Sequence, residues 1–112
     1  MNPDAMRELA AAAARLLDAM DPYETGVDAL GHAWDPIMYS ESSDRFESLR
    51  LYATAIPALS TAWIDVLITR FEFADALWQT RMHPGSIRVL ELIRAHKAAL
   101  ARLRERARLL VA

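Results

Sequence analysis

Apolar residues recur at alternating spacings of three and four along most of this 112-residue chain. The longest such run is the segment 44–82. There Leu49, Tyr52, Ile56, Leu59, Trp63, Val66, Phe73 and Leu77 keep the rhythm, and Arg70 takes one slot. Residues at this spacing share one face of an α-helix, so each run is the seam of a helix packed lengthwise on others. Three further runs show it. They are Met6, Leu9, Ala13, Leu16 and Met20, then Tyr23, Val27, Leu30 and Trp34, then Val89, Ile93, His96, Leu100, Leu103, Ala107 and Leu110. The pattern predicts a single all-α domain, a four-helix bundle with helices near residues 3–20, 22–34, 44–82 and 86–110.

Punctuation along the chain sets the expected ends. Asn2 precedes Pro3, and Asp21 precedes Pro22 with Glu24 completing a capping pair; each is a helix-start signal. Asp35-Pro36 ends the second helix or restarts a turn carrying Ile37, Met38 and Tyr39. The polar run 40–44 reads as a loop, with Asp44 and Glu47 as the next capping pair. Unbroken, the 39 residues of 44–82 span roughly 58 Å, long for so small a chain. Pro57 removes a backbone donor inside it. Ile56 cannot cap a new helix, so a kinked, continuous third helix is expected. The turn at Met82-His83-Pro84-Gly85-Ser86 then predicts an antiparallel hairpin of the third and fourth helices.

Composition narrows the chemistry. The chain has no cysteine, which excludes disulfides, thiol catalysis and zinc–thiolate sites. The N-terminus lacks the basic-then-apolar order of a signal peptide, so a cytoplasmic protein is expected. Twelve of the thirteen basic residues are arginine and alanine is abundant, the codon usage of a GC-rich bacterial genome. The net charge of −2 hides a split. Residues 1–80 hold five Arg against thirteen Asp and Glu, whereas residues 81–112 hold eight basic against two acidic residues. Either the basic fourth helix pairs internally with acidic helices, or it offers a surface to an anionic partner.

Candidate chemistry is sparse. Residues 51–69 approach the length of a membrane span, but three threonines, a serine, a proline and Asp65 interrupt them, which argues against a membrane. Arg70 in a seam either reaches the surface or pairs with an acid on the first two helices. His96 centres an apolar stripe and is a core histidine or a switch. No Glu-x-x-His pair accompanies it, and the Asp28/His32/Asp35 cluster sits on a stretch softened by Gly31 and Pro36, so no metal is expected. His83 falls in the turn. No phosphate-binding glycine loop or nucleophile motif is present, which implies no cofactor and no enzyme activity.

Two surfaces remain. Leu67, Phe71, Ala74 and Trp78 form a second stripe beside the seam of 44–82, giving that helix a wide apolar arc. Such an arc needs neighbours on two sides. Leu67, Phe71 and Trp78 are therefore the expected protein contacts of a small interaction module (an adaptor, chaperone-like protein or accessory subunit) that forms homodimers. Arg102, Arg104, Arg106 and Arg108 are the alternative, a dock for an anionic partner such as nucleic acid, lipid or an acidic protein. The overall acidity and the lack of basic–aromatic interleaving argue against nucleic acid.

Overall fold

The computed structural model describes residues 2–79 and 86–111. They form four helices and no strand: α1 Pro3–His32, α2 Pro36–Thr54, α3 Ser60–Gln79 and α4 Ile87–Val111, with a 3-10 turn at Pro57–Leu59. The all-α four-helix bundle is as the periodicity predicts, but two boundaries move.

First, the helices expected at 3–20 and 22–34 are one. α1 runs through Pro22. The proline deprives the Asp18 carbonyl of its donor, and both residues lie on the exposed side. Water can serve that carbonyl there, so the helix tolerates the loss. The buried face, Ala13, Leu16, Met20, Tyr23, Val27 and Leu30, keeps its phase across the proline. Each fully buried large side chain on it contributes about 1.5–3 kcal/mol, and one unbroken stripe on two neighbours holds the helix together. Asn2 caps α1 as expected, its Oδ1 accepting from the Ala5 N–H at 2.7 Å.

Second, the expected loop 40–44 is helical and the expected long helix is broken. Asp35 is the working cap of α2. Its Oδ1 accepts from the N–H groups of Ile37 and Met38, with Pro36 at the first position. α2 then runs through the serines to Thr54. At Pro57 the chain breaks instead of kinking. Ile56 is extended, at φ −119° and ψ 101°, the region to which a following proline steers its neighbour. The two flanking helices turn by 117° at this point. Side-chain capping was not required. Buried Ile56 and Leu59 anchor the turn in the core, while the Ile56 carbonyl accepts from the Leu59 N–H and the Ser60 hydroxyl donates to the Pro57 carbonyl.

α1 packs on α2 and α4, and α3 packs on α4. The pairs are antiparallel, as contacts such as Asp28–Lys97 and Thr69–His96 show. The bundle is a rod of 52 × 22 × 17 Å. Gly31 permits the closest approach of α1 to α4, since a Cβ there would stand 2.7 Å from Cδ1 of Ile93. The backbones of α2 and α3 stay further apart than those of the other packed pairs, and a groove opens between them. Apart from Ser86, whose Oγ accepts from the Val89 N–H at the start of α4, the expected turn at 82–86 lies outside the described residues. Among the described residues no single helix is long and apolar enough to cross a membrane. Only the bent α2–α3 pair reaches that length and composition together.

Candidate functional site

The seam slot of α3 brings the Arg70 side chain inward, where it is only 7% exposed. It meets no acid. Among the described residues no carboxylate lies within ion-pair distance of it, so it neither reaches the surface nor pairs with an acid of the two helices expected at 3–20 and 22–34, the two alternatives that the sequence offered. Hydroxyls take its place. Nη1 donates to the Tyr23 hydroxyl at 3.1 Å and to Ser42 Oγ at 2.9 Å, and Nη2 donates to Ser43 Oγ at 3.1 Å. The rings of Tyr23, Tyr39, Phe46 and Phe73 lie 5.0–5.7 Å from the guanidinium carbon, within cation–π range. Ser42 and Ser43 explain the polar run in α2. They are the inward face of a helix whose neighbour is a guanidinium.

His96 extends the network. Its Nε2 lies 2.7 Å from the Tyr23 hydroxyl and its Nδ1 2.7 Å from Thr69 Oγ1. The tautomer follows from the donors available. Tyr23 accepts from Arg70, which has no lone pair to offer in return. The Tyr23 proton therefore goes to Nε2, and Nδ1–H donates to Thr69, whose own proton goes to the Asp65 or Val66 carbonyl. Burial first, and the Arg70 charge second, pull the imidazole pKa down to about 3. Burial pushes the Tyr23 phenol up, against the opposing pull of Arg70. The network thus holds one charge, on Arg70, and draws a side chain from each helix: Tyr23, Ser42, Arg70 and His96. Sequence reasoning singled out Arg70 and His96 separately but missed Tyr23, Ser42, Ser43 and Thr69. Polar-tipped Tyr23 in an otherwise apolar stripe was the available signal.

Outside this core, the groove between α2 and α3 has a volume of about 460 Å³. The predicted contacts Leu67, Phe71 and Trp78 all line it together with Ala74 of the same stripe, with Tyr39 and Phe46 opposite and Arg70 and Ser43 among them. Trp34, Tyr39 and Trp78 close one end as an aromatic trio, with centroids 5.0–5.6 Å apart. The apolar exposure of α3 extends beyond the groove. Phe71 is 78% exposed, and Ile64, Ile68 and Trp78 are each about half exposed.

The basic helix divides. Arg104 is 20% exposed on its side chain and held by Asp21 and Glu24 of α1, at 3.0 and 2.9 Å. Lys97 binds Asp28. Part of the charge split is therefore internal pairing between α1 and α4, through Lys97 and Arg104. Arg102, Arg106 and Arg108 are exposed, so the proposed row of four lacks its second member. Asp28 is taken by Lys97, and the His32 ring bonds the Asp28 backbone carbonyl. Among the described residues no group of three or more metal-ligating side chains converges.

The site defines a class by architecture alone: an all-α four-helix bundle with a buried arginine, free of acid partners, beside an aromatic groove. Comparison with protein-family models, with curated proteins and with solved structures finds no match.

Proposed function

We propose that the chain is a small, non-enzymatic helical interaction module of the bacterial cytoplasm that associates with a second copy of itself through α3. The observation that supports it is the row Ile64, Leu67, Ile68, Phe71 and Trp78, large apolar side chains exposed along one helix. A contiguous row of this kind is costly in water and marks contact surfaces on folded proteins. Leu67, Phe71 and Trp78 are its central residues. Light scattering across a concentration series tests the reading. A dimer that dissociates when Phe71 becomes Asp supports it, and a clean monomer at high micromolar concentration ends it.

A second reading rests on Arg102, Arg106 and Arg108, which point to solvent near the end of α4. They form an electrostatic dock for an anionic partner. Binding to anionic vesicles or nucleic acid that weakens steeply with salt supports it. The double ion pair of Arg104 removes one of the four cations and makes this the weaker of the two.

A further inference from the structure

Arg70 is a cation without an anion among the described residues. Transferring a charge to an apolar interior is costly unless it is paired, and hydroxyls and ring faces compensate only in part. The acids that flank its partner Tyr23 in sequence are used elsewhere: Asp21, Glu24 and Asp28 are spent on α4. The guanidinium also has unused donors. Three of its five N–H groups reach Tyr23, Ser42 and Ser43. Nε and the second hydrogen on Nη2 have no partner among the described residues. Every fully buried side-chain polar atom among those residues is partnered, so Nε is not fully enclosed, and the groove is the opening that Arg70 lines. Nε and Nη2 are neighbours on the planar fork that grips a carboxylate with two parallel hydrogen bonds.

The groove limits what can bring that carboxylate. Its walls are mostly ring and aliphatic surface, and its volume lies in the range of about 300–1,000 Å³ usual for small-molecule sites. Two acids also line it. Glu47 is held by Arg50 at 2.8 Å, and Asp75 accepts from Gln79 at 3.0 Å. These two rim charges disfavour anions in proportion to their charge, so a single negative charge is penalised least and phosphates, dicarboxylates and other multiply charged anions most.

We propose that the α2–α3 groove is a binding site for an amphipathic monocarboxylate, with its carboxylate on Nε and Nη2 of Arg70 and its apolar body between Phe71 and Trp78. The site requires no second chain. It goes beyond the self-association reading; because Phe71 and Trp78 belong to both surfaces, the acid and a second chain compete for them, and the stoichiometry is one acid per monomeric chain.

Decanoate, titrated below its micellar concentration into the purified protein and followed by calorimetry, tests the proposal. The expected result is one saturable site per chain, with decanol and decanedioate each bound at least about tenfold more weakly. Phe71→Ala, on the exposed wall, should weaken decanoate and decanol by the same factor. Arg70→Gln should bring decanoate down to the level of decanol. Should that variant fail to fold, the comparison of acid with alcohol on the native protein still decides. Equal affinity for decanoate and decanol, or no decanoate binding in the millimolar range, overturns the proposal. Light scattering on the same samples reads self-association separately.

Discussion

Tyr23 Oη and His96 Nε2, 73 positions apart in sequence, stand 2.7 Å from each other in the centre of the bundle. The bond ties α1 to α4 and sits between two side chains with no exposed surface. Arg70 donates into it from α3, so the proton order along the chain runs one way, from guanidinium to phenol to imidazole to the Thr69 hydroxyl.

Tyr23→Phe removes the hydroxyl and nothing else of size. It leaves Nε2 of His96 and one N–H of Arg70 buried without a partner. An orphaned buried polar group costs about 1–3 kcal/mol, so the variant should lose at least that much in urea unfolding, with an unchanged m-value. A loss below about 0.5 kcal/mol would show that water enters the core.

Stability should fall with acid because His96 is held neutral. In the unfolded chain the imidazole titrates near 6.5, and in the folded protein only near 3. Between those values the unfolded state binds a proton that the folded state refuses. The contribution is therefore complete above about pH 6.5 and lost as pH falls towards 3, at up to about 1.4 kcal/mol per pH unit. Urea unfolding at a series of pH values reads the slope, and His96→Gln should flatten it. Stability that stays level from about pH 7 to 5 in the wild type contradicts the assignment.

The two described glycines of α1 should respond in opposite ways to alanine. A Cβ at Gly26 meets nothing within 4 Å, so Gly26→Ala should stabilise by about 0.5–1 kcal/mol through helix propensity. At Gly31 the Cβ would press on Cδ1 of Ile93. Ile93 must rotate, and Gly31→Ala should be neutral or destabilising. Thermal melts of the two variants side by side check the order, and a larger gain at Gly31 would refute the close approach of α1 to α4.

For the contact surface, Ile68→Asp and Phe71→Asp should each shift self-association towards monomer by tenfold or more, about 1.4 kcal/mol. Both residues are more than half exposed, so neither change should lower the melting temperature of the monomer. Sedimentation equilibrium on the pair, with Leu109→Asp on the exposed end of α4 as control, separates an α3 interface from general stickiness.

The class of fold was legible because seams repeat at helical spacing, and Tyr23, Val27 and Leu30 even continue the phase of Leu16 and Met20. That continuity across Pro22 was the available sign of one helix, which the expectation of two helices did not use. The capping signal at Asp21 pointed the other way, and burial along the whole stripe outweighed it. At Ile56 the error ran in the opposite direction. A missing cap suggested continuity, but the steric effect of proline on its predecessor set the backbone. The serines of α2 misled because polarity was taken as exposure, whereas Ser42 and Ser43 face a buried cation. The groove residues Leu67, Phe71 and Trp78 were legible from one helix alone. Their opposite wall, Tyr39 and Phe46, depends on how α2 folds back after a turn of 117°, which no local pattern encodes.

One side chain from each of the four helices meets around Arg70. The Tyr23 hydroxyl and the His96 ring have no exposed surface there, so their protons exchange with solvent through opening of the packing around them. The Tyr23 hydroxyl and the Nδ1 proton of His96 are therefore built-in reporters. Their resonances in a proton spectrum would time the opening of this core without any label being attached to it.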